Sequence, residues 1–495
     1  MGVRTLRNAP AAATVAARHL LRGSDHVGRV PQPWAAAPAY RSAVAALRAG
    51  DLTRARDEGR RAGLPGRLLT HLVDGELGVL GSPVGDAPSF RGTSPAGHET
   101  DHQTVLHLVT NALPETVAGY TVRTQGIAEA QRAAGHDVHV ASRLGFPVVK
   151  GHLDAGPRAD VRGVPYHRLL PVRLPLRADR ALAADVEHSS RLVRELRPTV
   201  LHAHSNHVNA RVGLALRERF GIPLVYEVRG LLEETWLSRT SDPAARERDF
   251  YRLTRSAETA VMSAADAVVT LSGPLRDHIV ARGVPAERVF VVPNGVDDAW
   301  FGHEPLPHTG LTVGIGGTLN DYEGVPVLVD AIALLRSQRY DVRLVVVGDG
   351  PARASLEKQV ADRGLADLAT FTGRLPRDGV IEAYRGLDVF CLPRLDLPVT
   401  RLVPPLKPIE AMALGIPVVA SDLPPLREVV GRGRGLLTRP GDPADLAAAL
   451  RTLADGDVRR ELGAAARTWV AETRTWAAAA ATYEHVYATT RGETP

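Results

Sequence analysis

Lys407 and Glu410 stand three residues apart in the run from Leu402 to Val430, "LVPPLKPIEAMALGIPVVASDLPPLREVV". The pattern predicts a loop, a helix starting near Lys407, a stop at Gly415 and a β-branched strand. Positions three apart share a helix face, so this ammonium and this carboxylate can meet one ligand. The chain holds three lysines against 57 arginines. A compact, strongly hydrated ammonium acts on a diphosphate as a point charge, and a carboxylate beside a phosphate site suits the paired hydroxyls of a ribose. Upstream, "VGIGGTLNDYEG" (residues 313–324) runs a strand into Gly316, Gly317 and Thr318. Glycines there let backbone N–H groups approach a phosphate. The run is not a dinucleotide fingerprint, because Leu319 takes the third glycine's place and the next strand ends in "GDG" rather than in an acid. The chemistry these residues suit is a grip on a nucleoside diphosphate.

The first half offers a second set. "GYTVRT" places Gly119, Tyr120 and Arg123 at a predicted helix start, where the guanidinium can reach a phosphate. "LHAHSNHVNA" carries His202, His204 and His207 at a strand's end, and "YEVRG" ends the following strand with Glu227 and Arg229. His202 and His204 alternate as metal ligands can, but no acid or cysteine stands beside them, so no metal is expected.

These residues need strands and helices to hold them. "TVLHLV", "DVHVAS", "TVLHAH" and "IPLVYEV" are strand-like runs separated by helical ones, and a second series begins at "LTVGIGG" and "VRLVVVGDG". Such alternation predicts an α/β protein of two tandem Rossmann-like, doubly wound domains. Ligands in open parallel sheets bind beyond the carboxyl ends of the strands, where both residue sets fall. The expected boundaries are a small helical N-terminal extension with a linker (1–98), a first Rossmann-like domain (99–300), a second (301–475), and a C-terminal helix (476–495) returning to the first. Within the extension, residues 38–66 read as two short amphipathic helices joined at Gly50-Asp51. Gly81 to Asp101 is dense in Gly, Pro and Ser and reads as the linker.

At 495 residues, 44% hydrophobic and 23% charged, the composition is that of an ordinary globular protein. A net charge of +5 is modest for this length and predicts no nucleic-acid partner. Cys391, the single cysteine, lies in an apolar strand-like run and reads as core. No run approaches the ~18 apolar residues of a membrane span, and arginines interrupt every apolar stretch near the amino terminus, so a cytoplasmic location is expected. His167 to Leu182, "HRLLPVRLPLRADRAL", interleaves arginine with leucine and proline. It reads as a Pro-rich connecting loop, with peripheral membrane contact as the other reading.

Four motifs in order, "RVFVVPNGVD", "VVVGDGP", "KPIEAMALGIPVVAS" and the paired-Rossmann layout, resemble glycosyltransferase family 4 of GT-B architecture over residues 103–490. "GYTVRT", "HAHS", "YEVRGL", "YEG" and "PLKPIEAMA" are similar to its bacterial polysaccharide-type subgroup. The resemblance implies retaining transfer of a hexosyl-type sugar from a nucleotide diphosphate sugar, with no obligatory metal or other cofactor, to an unknown acceptor, a lipid-linked one being among the readings. It implies a donor site of Gly316, Gly317, Thr318, Arg374, Lys407 and Glu410, with Glu410 on the ribose. His204 would contact the donor sugar, and Gly119, Tyr120, Arg123 and Arg229 would lie on the acceptor side. His204, Lys407 and Glu410 would carry catalysis. The family's first acid is replaced by Leu402, and its lysine before Gly324 by Glu323. Lys407 then becomes the compensating cation, with Arg374 or Arg401. Another GT-B nucleotide-sugar enzyme, such as an epimerase, and a non-catalytic scaffold are the rival readings.

Overall fold

The computed structural model describes residues 3–22, 37–84, 103–306 and 310–492. Most of the predicted linker therefore lies outside the described residues. The chain divides into two compact units. The first comprises Met1–Thr270, Asp277–Phe290 and Tyr483–Pro495, and the second Leu271–Arg276 and Val291–Thr482.

The first unit is built on eight strands: β1 (Thr104–Val109), β2 (Asp137–Ser142), β3 (Arg158–Val161), β4 (Val164–Arg168), β5 (Val200–His204), β6 (Leu224–Val228), β7 (Ala267–Thr270) and β8 (Val289–Val291). Their order is β3-β4-β2-β1-β5-β6-β7-β8. The β3–β4 hairpin is antiparallel, whereas β1 pairs parallel with β2 and β5, and β6 with β5 and β7. β1, β5, β6 and β7 are apolar and buried almost throughout, as strands covered on both faces must be.

The N-terminal helices belong to this unit. Helices Pro38–Arg48 and Leu52–Arg61 form the expected hairpin. Gly50 turns it with φ +76°, and the Asp51 carboxylate accepts the Arg54 N–H at 3.1 Å as N-cap. Helix Gly63–Gly81 completes the layer. Tyr40, Ala43 and Leu52 of the hairpin cluster with Leu69 and Val73 of this helix and with Ala257 of helix Asp249–Ala264.

The second unit carries β9 (Leu311–Gly316), β10 (Val342–Val347), β11 (Ala369–Gly373), β12 (Val389–Leu392), β13 (Val418–Ser421) and β14 (Gly435–Thr438), in the order β11-β10-β9-β12-β13-β14. All its ladders are parallel. One core lies beneath helices Val325–Ser337 and Pro443–Thr452, and the other packs around helix Lys407–Ala413. Cys391 is fully buried in the first of these. Both units are doubly wound parallel α/β folds. Among the described residues, no helix is long and apolar enough to cross a membrane.

Candidate functional site

In the second unit the chain leaves β9 through Gly316 and bends at Gly317, whose φ of +116° L-residues rarely adopt. Lys407 lies directly across this bend. A Cβ on Gly317 would fall 2.0 Å from the lysine Cε and 2.2 Å from Nζ, and a Cβ on Gly316 would fall 1.9 Å from the Tyr384 hydroxyl. Absence of side chains is therefore what admits Lys407 and Tyr384. The expectation that the glycine amides themselves face a ligand needs correction for Gly317: its N–H donates to the Val347 carbonyl at 2.7 Å. Leu319 N–H donates to Asp349 and Asn320 N–H to Thr318. Among the described residues, the exposed Thr318 keeps the one amide of this bend without an internal acceptor.

The Lys407 ammonium is 3.4 Å from Glu323 Oε2. Glu323 is 4% exposed and accepts two bonds from Arg394, Nε at 3.2 Å and Nη2 at 2.9 Å. Arg394, just beyond β12, also donates to the Val403 carbonyl at 2.9 Å. Burial works to raise the Glu323 carboxyl, but Arg394 and Lys407 outweigh it and hold the group below its ordinary value. Burial lowers Lys407 in turn, against the pull of Glu323. Glu410, one turn along the same helix, is half-buried, and desolvation pushes its carboxyl up to about 7. Arg374 is exposed on the loop after β11. Arg401 is also exposed and is bound to Asp396, with Nη2 to Oδ2 at 2.7 Å. Neither makes a contact with the Lys407 group.

In the first unit, the register sets His107 of β1 beside His202 of β5, and His204 beside Glu227 of β6. Glu227 is fully buried and accepts Nε of Arg123 at 2.9 Å, Nε of Arg229 at 2.5 Å and the Tyr483 hydroxyl. Desolvation would raise its carboxyl, yet the two guanidiniums hold it well below the usual range. A closed loop of polar groups surrounds it. His202 Nε2 is 3.2 Å from Glu227, His202 Nδ1 is 2.8 Å from the Tyr487 hydroxyl, and Gln131 donates to that hydroxyl at 2.8 Å. His107 bridges Gln131 and His204 at 2.8 Å on each side.

Three neutral imidazoles, one phenol and one amide supply five hydrogens to the six edges of this loop. The edge left without a hydrogen is His204 Nδ1 to Glu227, at 3.6 Å the longest of the six, and His202 Nε2 at 3.2 Å from Glu227 likewise makes no well-aligned hydrogen bond. Burial lowers His107 to about 3 and depresses His202 and His204, so neutral rings fit. The His202 and His204 rings stack at 4.4 Å with 19° between planes. The three histidines bring one ring nitrogen each to within 4.8 Å of one another, with 19° to 35° between their ring planes.

The sequence, compared with known proteins, matches two domain families. Residues 310–456 match "Glycosyl transferases group 1", and residues 118–295 match "Glycosyl transferase 4-like domain". The two matches follow one another along the chain, one on each of the two α/β halves that give it the GT-B fold. Among relatives, it is 31% identical to a D-inositol 3-phosphate glycosyltransferase of Acidothermus cellulolyticus over 53% of this chain and 61% of that protein. It is 28% identical to the protein of the same name in Pseudarthrobacter chlorophenolicus over 70% of this chain and 85% of the other. It thus spans about three fifths of the first relative's length. Two solved structures share the fold. One is a sucrose-phosphate synthase of Thermosynechococcus elongatus, with TM-score 0.64 and 23% identity over 78% of this chain and 98% of that one. The other is HepE of Anabaena, solved with UDP, with TM-score 0.61 and 19% identity over 78% and 100%.

In this GT-B chain the sequence-predicted residues separate into those the fold leaves open and those it encloses. Gly316, Gly317, Thr318, Lys407 and Glu410 gather at the strand ends of the second unit. Gly119 and Tyr120 are exposed at the start of helix Gly119–Ala133, and the Tyr120 hydroxyl accepts a bond from Asn111. Arg123 is corrected. It is 1% exposed and committed to Glu227 and to the Tyr483 hydroxyl at 2.9 Å, so it is not placed to reach a phosphate. His204 is corrected likewise: at 2% exposure it is enclosed by the polar loop and has no face for a donor sugar. Arg229 acts as a staple, donating to Glu227 and, through Nη1, to Thr124 Oγ1 at 2.8 Å and the Tyr120 carbonyl. The reading of the sequence missed Arg394, although its position just beyond a strand's carboxyl end is where such a residue belongs.

Proposed function

We propose that this chain is a retaining glycosyltransferase. It would move a hexosyl-type sugar from a nucleoside diphosphate sugar to a hydroxyl of a polysaccharide, glycolipid or small glycoside. The observation that carries the reading is Lys407 stretched across the Gly317 bend beside the open Thr318 amide. Donors fixed beside a departing diphosphate stabilise charge as it develops, commonly the largest catalytic contribution. Lys407 and the Thr318 amide supply them without a metal or other cofactor. Glu410 would accept the ribose hydroxyls once ionised. UDP is the first nucleotide to test, because HepE was solved with it. Relatives named for inositol phosphate and phosphatidyl-myo-inositol support small polar or lipid-linked acceptors. A bacterial polysaccharide-type role in the cytoplasm, at most peripheral to a membrane, fits this reading.

Calorimetry and thermal shift with UDP, GDP and ADP test it. One nucleotide at about 100 times its dissociation constant raises stability by roughly 2.7 kcal/mol. Lys407→Ala removes that gain. Failure of all three to bind the intact chain would favour the non-catalytic scaffold.

A further inference from the structure

We propose that Glu323 is a positioning residue of the donor site, a buried carboxylate that holds Lys407 across Gly317 and leaves the cation pair one net positive charge for a nucleoside diphosphate. The inference rests on the donor-site reading above. It concerns a position where the resemblance puts a lysine and this chain has the opposite charge.

A lysine stem is flexible and its ammonium is drawn toward water. Here the stem instead occupies the volume that a Cβ on residue 317 would fill, and its tip is met at 3.4 Å by Glu323 Oε2. Among the described residues this is the one ion pair Lys407 makes. Glu323 is itself immobilised by the two-pronged bond from Arg394, whose remaining Nη1 is tied to the Val403 carbonyl. The turn that presents Glu323, Asp321–Glu323, closes at Gly324 with φ +70°. A Cβ there would fall 1.9 Å from the Pro393 carbonyl oxygen. Glycine at 324 thus lets the turn seat against the segment bearing Arg394.

Charge follows the same order. A bare carboxylate here would repel a diphosphate, but Arg394 saturates it. Lys407 carries three donors, and one pairing leaves two for a ligand. Any Lys407–Glu323 ion pair raises the lysine's midpoint; a positioning role shows itself in UDP affinity following that midpoint.

The chain's three lysines make this measurable. Lys150 and Lys358 are exposed and Lys407 is partly enclosed, so reductive methylation with ¹³C-formaldehyde gives three dimethyl-lysine signals to follow against pH. In Glu323→Gln the Lys407 midpoint drops by one pH unit or more, because Arg394 stays and the carboxylate goes. Lys150 and Lys358 do not move. Glu323→Asp, which keeps the charge, stays nearer the wild type. UDP affinity in Glu323→Gln, compared at one pH below and one above its lowered Lys407 midpoint, then weakens severalfold beyond any change in the wild type. An unmoved Lys407 midpoint with UDP affinity lowered equally at both pH values overturns the proposal. If wild-type protein binds none of UDP, GDP and ADP, the donor-site reading fails, while the titration still reports whether Glu323 holds Lys407.

Discussion

Replacing Glu227 by Gln tests how the first unit is held together. The wild-type carboxylate offsets one of the two positive charges of Arg123 and Arg229, whose side chains are 1% and 8% exposed. Gln keeps one acceptor oxygen for the two Nε donors. It removes the charge, however, and turns an N–H₂ toward the Tyr483 hydroxyl and His202. Removing one partner of a buried ion pair costs about 3–5 kcal/mol, because the remaining charge stays buried. At roughly 2–4 °C per kcal/mol for a domain of a couple of hundred residues, the transition of the first unit drops by roughly 6–20 °C. Urea unfolding by circular dichroism and differential scanning calorimetry both report it. Arg229→Gln in the Glu227→Gln background removes one stranded charge and recovers about 1–3 kcal/mol of coupling. The Glu227 carboxyl lies well below its ordinary value in the fold. Its contribution is therefore complete above the usual carboxylate range and is lost only as pH falls through the depressed folded value, so the wild type keeps it through mild acid. A loss under about 1 kcal/mol, or strict additivity of the two substitutions, would refute the reasoning.

Three further outcomes are expected. Glu410 is pushed up to about 7 and, on the proposed reading, accepts the ribose hydroxyls as an anion, so UDP affinity rises about tenfold from pH 6 to 8 as the carboxyl ionises. Calorimetry at the two pH values shows the gain, and Glu410→Gln abolishes it. Gly317→Ala drives a methyl into the Lys407 stem and strains a φ of +116°. It lowers UDP affinity at least tenfold and stability by about 1–3 kcal/mol, read by calorimetry and thermal shift; unchanged affinity would contradict the placement of Lys407. Tyr487→Phe strips one partner each from His202 and Gln131, costing about 1–3 kcal/mol in urea unfolding.

Local signals were legible, and distant partnerships were not. Gly50-Asp51 announced a hairpin because a turn glycine and a capping acid act within a few residues. The Lys407 helix and the Gly316–Gly317 bend were readable for the same reason, as strand-to-turn and loop-to-helix punctuation. The burial of Arg123 was not, since Glu227 and Tyr483 lie 104 and 360 residues away in the chain. Arg394 was hidden among 57 arginines, with nothing local to mark it. Part of the stretch read as a Pro-rich loop is ordered. β4 ends at Arg168 and helix Ala178–Leu196 starts after Arg177, leaving residues 169–177 as the connection, with Val172 57% exposed. The loop reading overran the start of that helix because its first residues, "ADRAL", continue the Arg-Leu-Pro alternation before them.

The tyrosines of helix Trp476–Arg491 have a consequence for how the protein is made. Glu227 receives its phenol from Tyr483, 256 positions later, and His202 from Tyr487, 285 positions later. A ribosome adding roughly 5–20 residues per second needs roughly 13–57 s to cover those distances. Through that interval the nascent sheet must wait with its acid and histidines unroofed, while the whole of the second unit is synthesised. The amino-terminal half of this chain is therefore finished last, and a chain stopped before Tyr483 would leave Glu227 and His202 without their phenols.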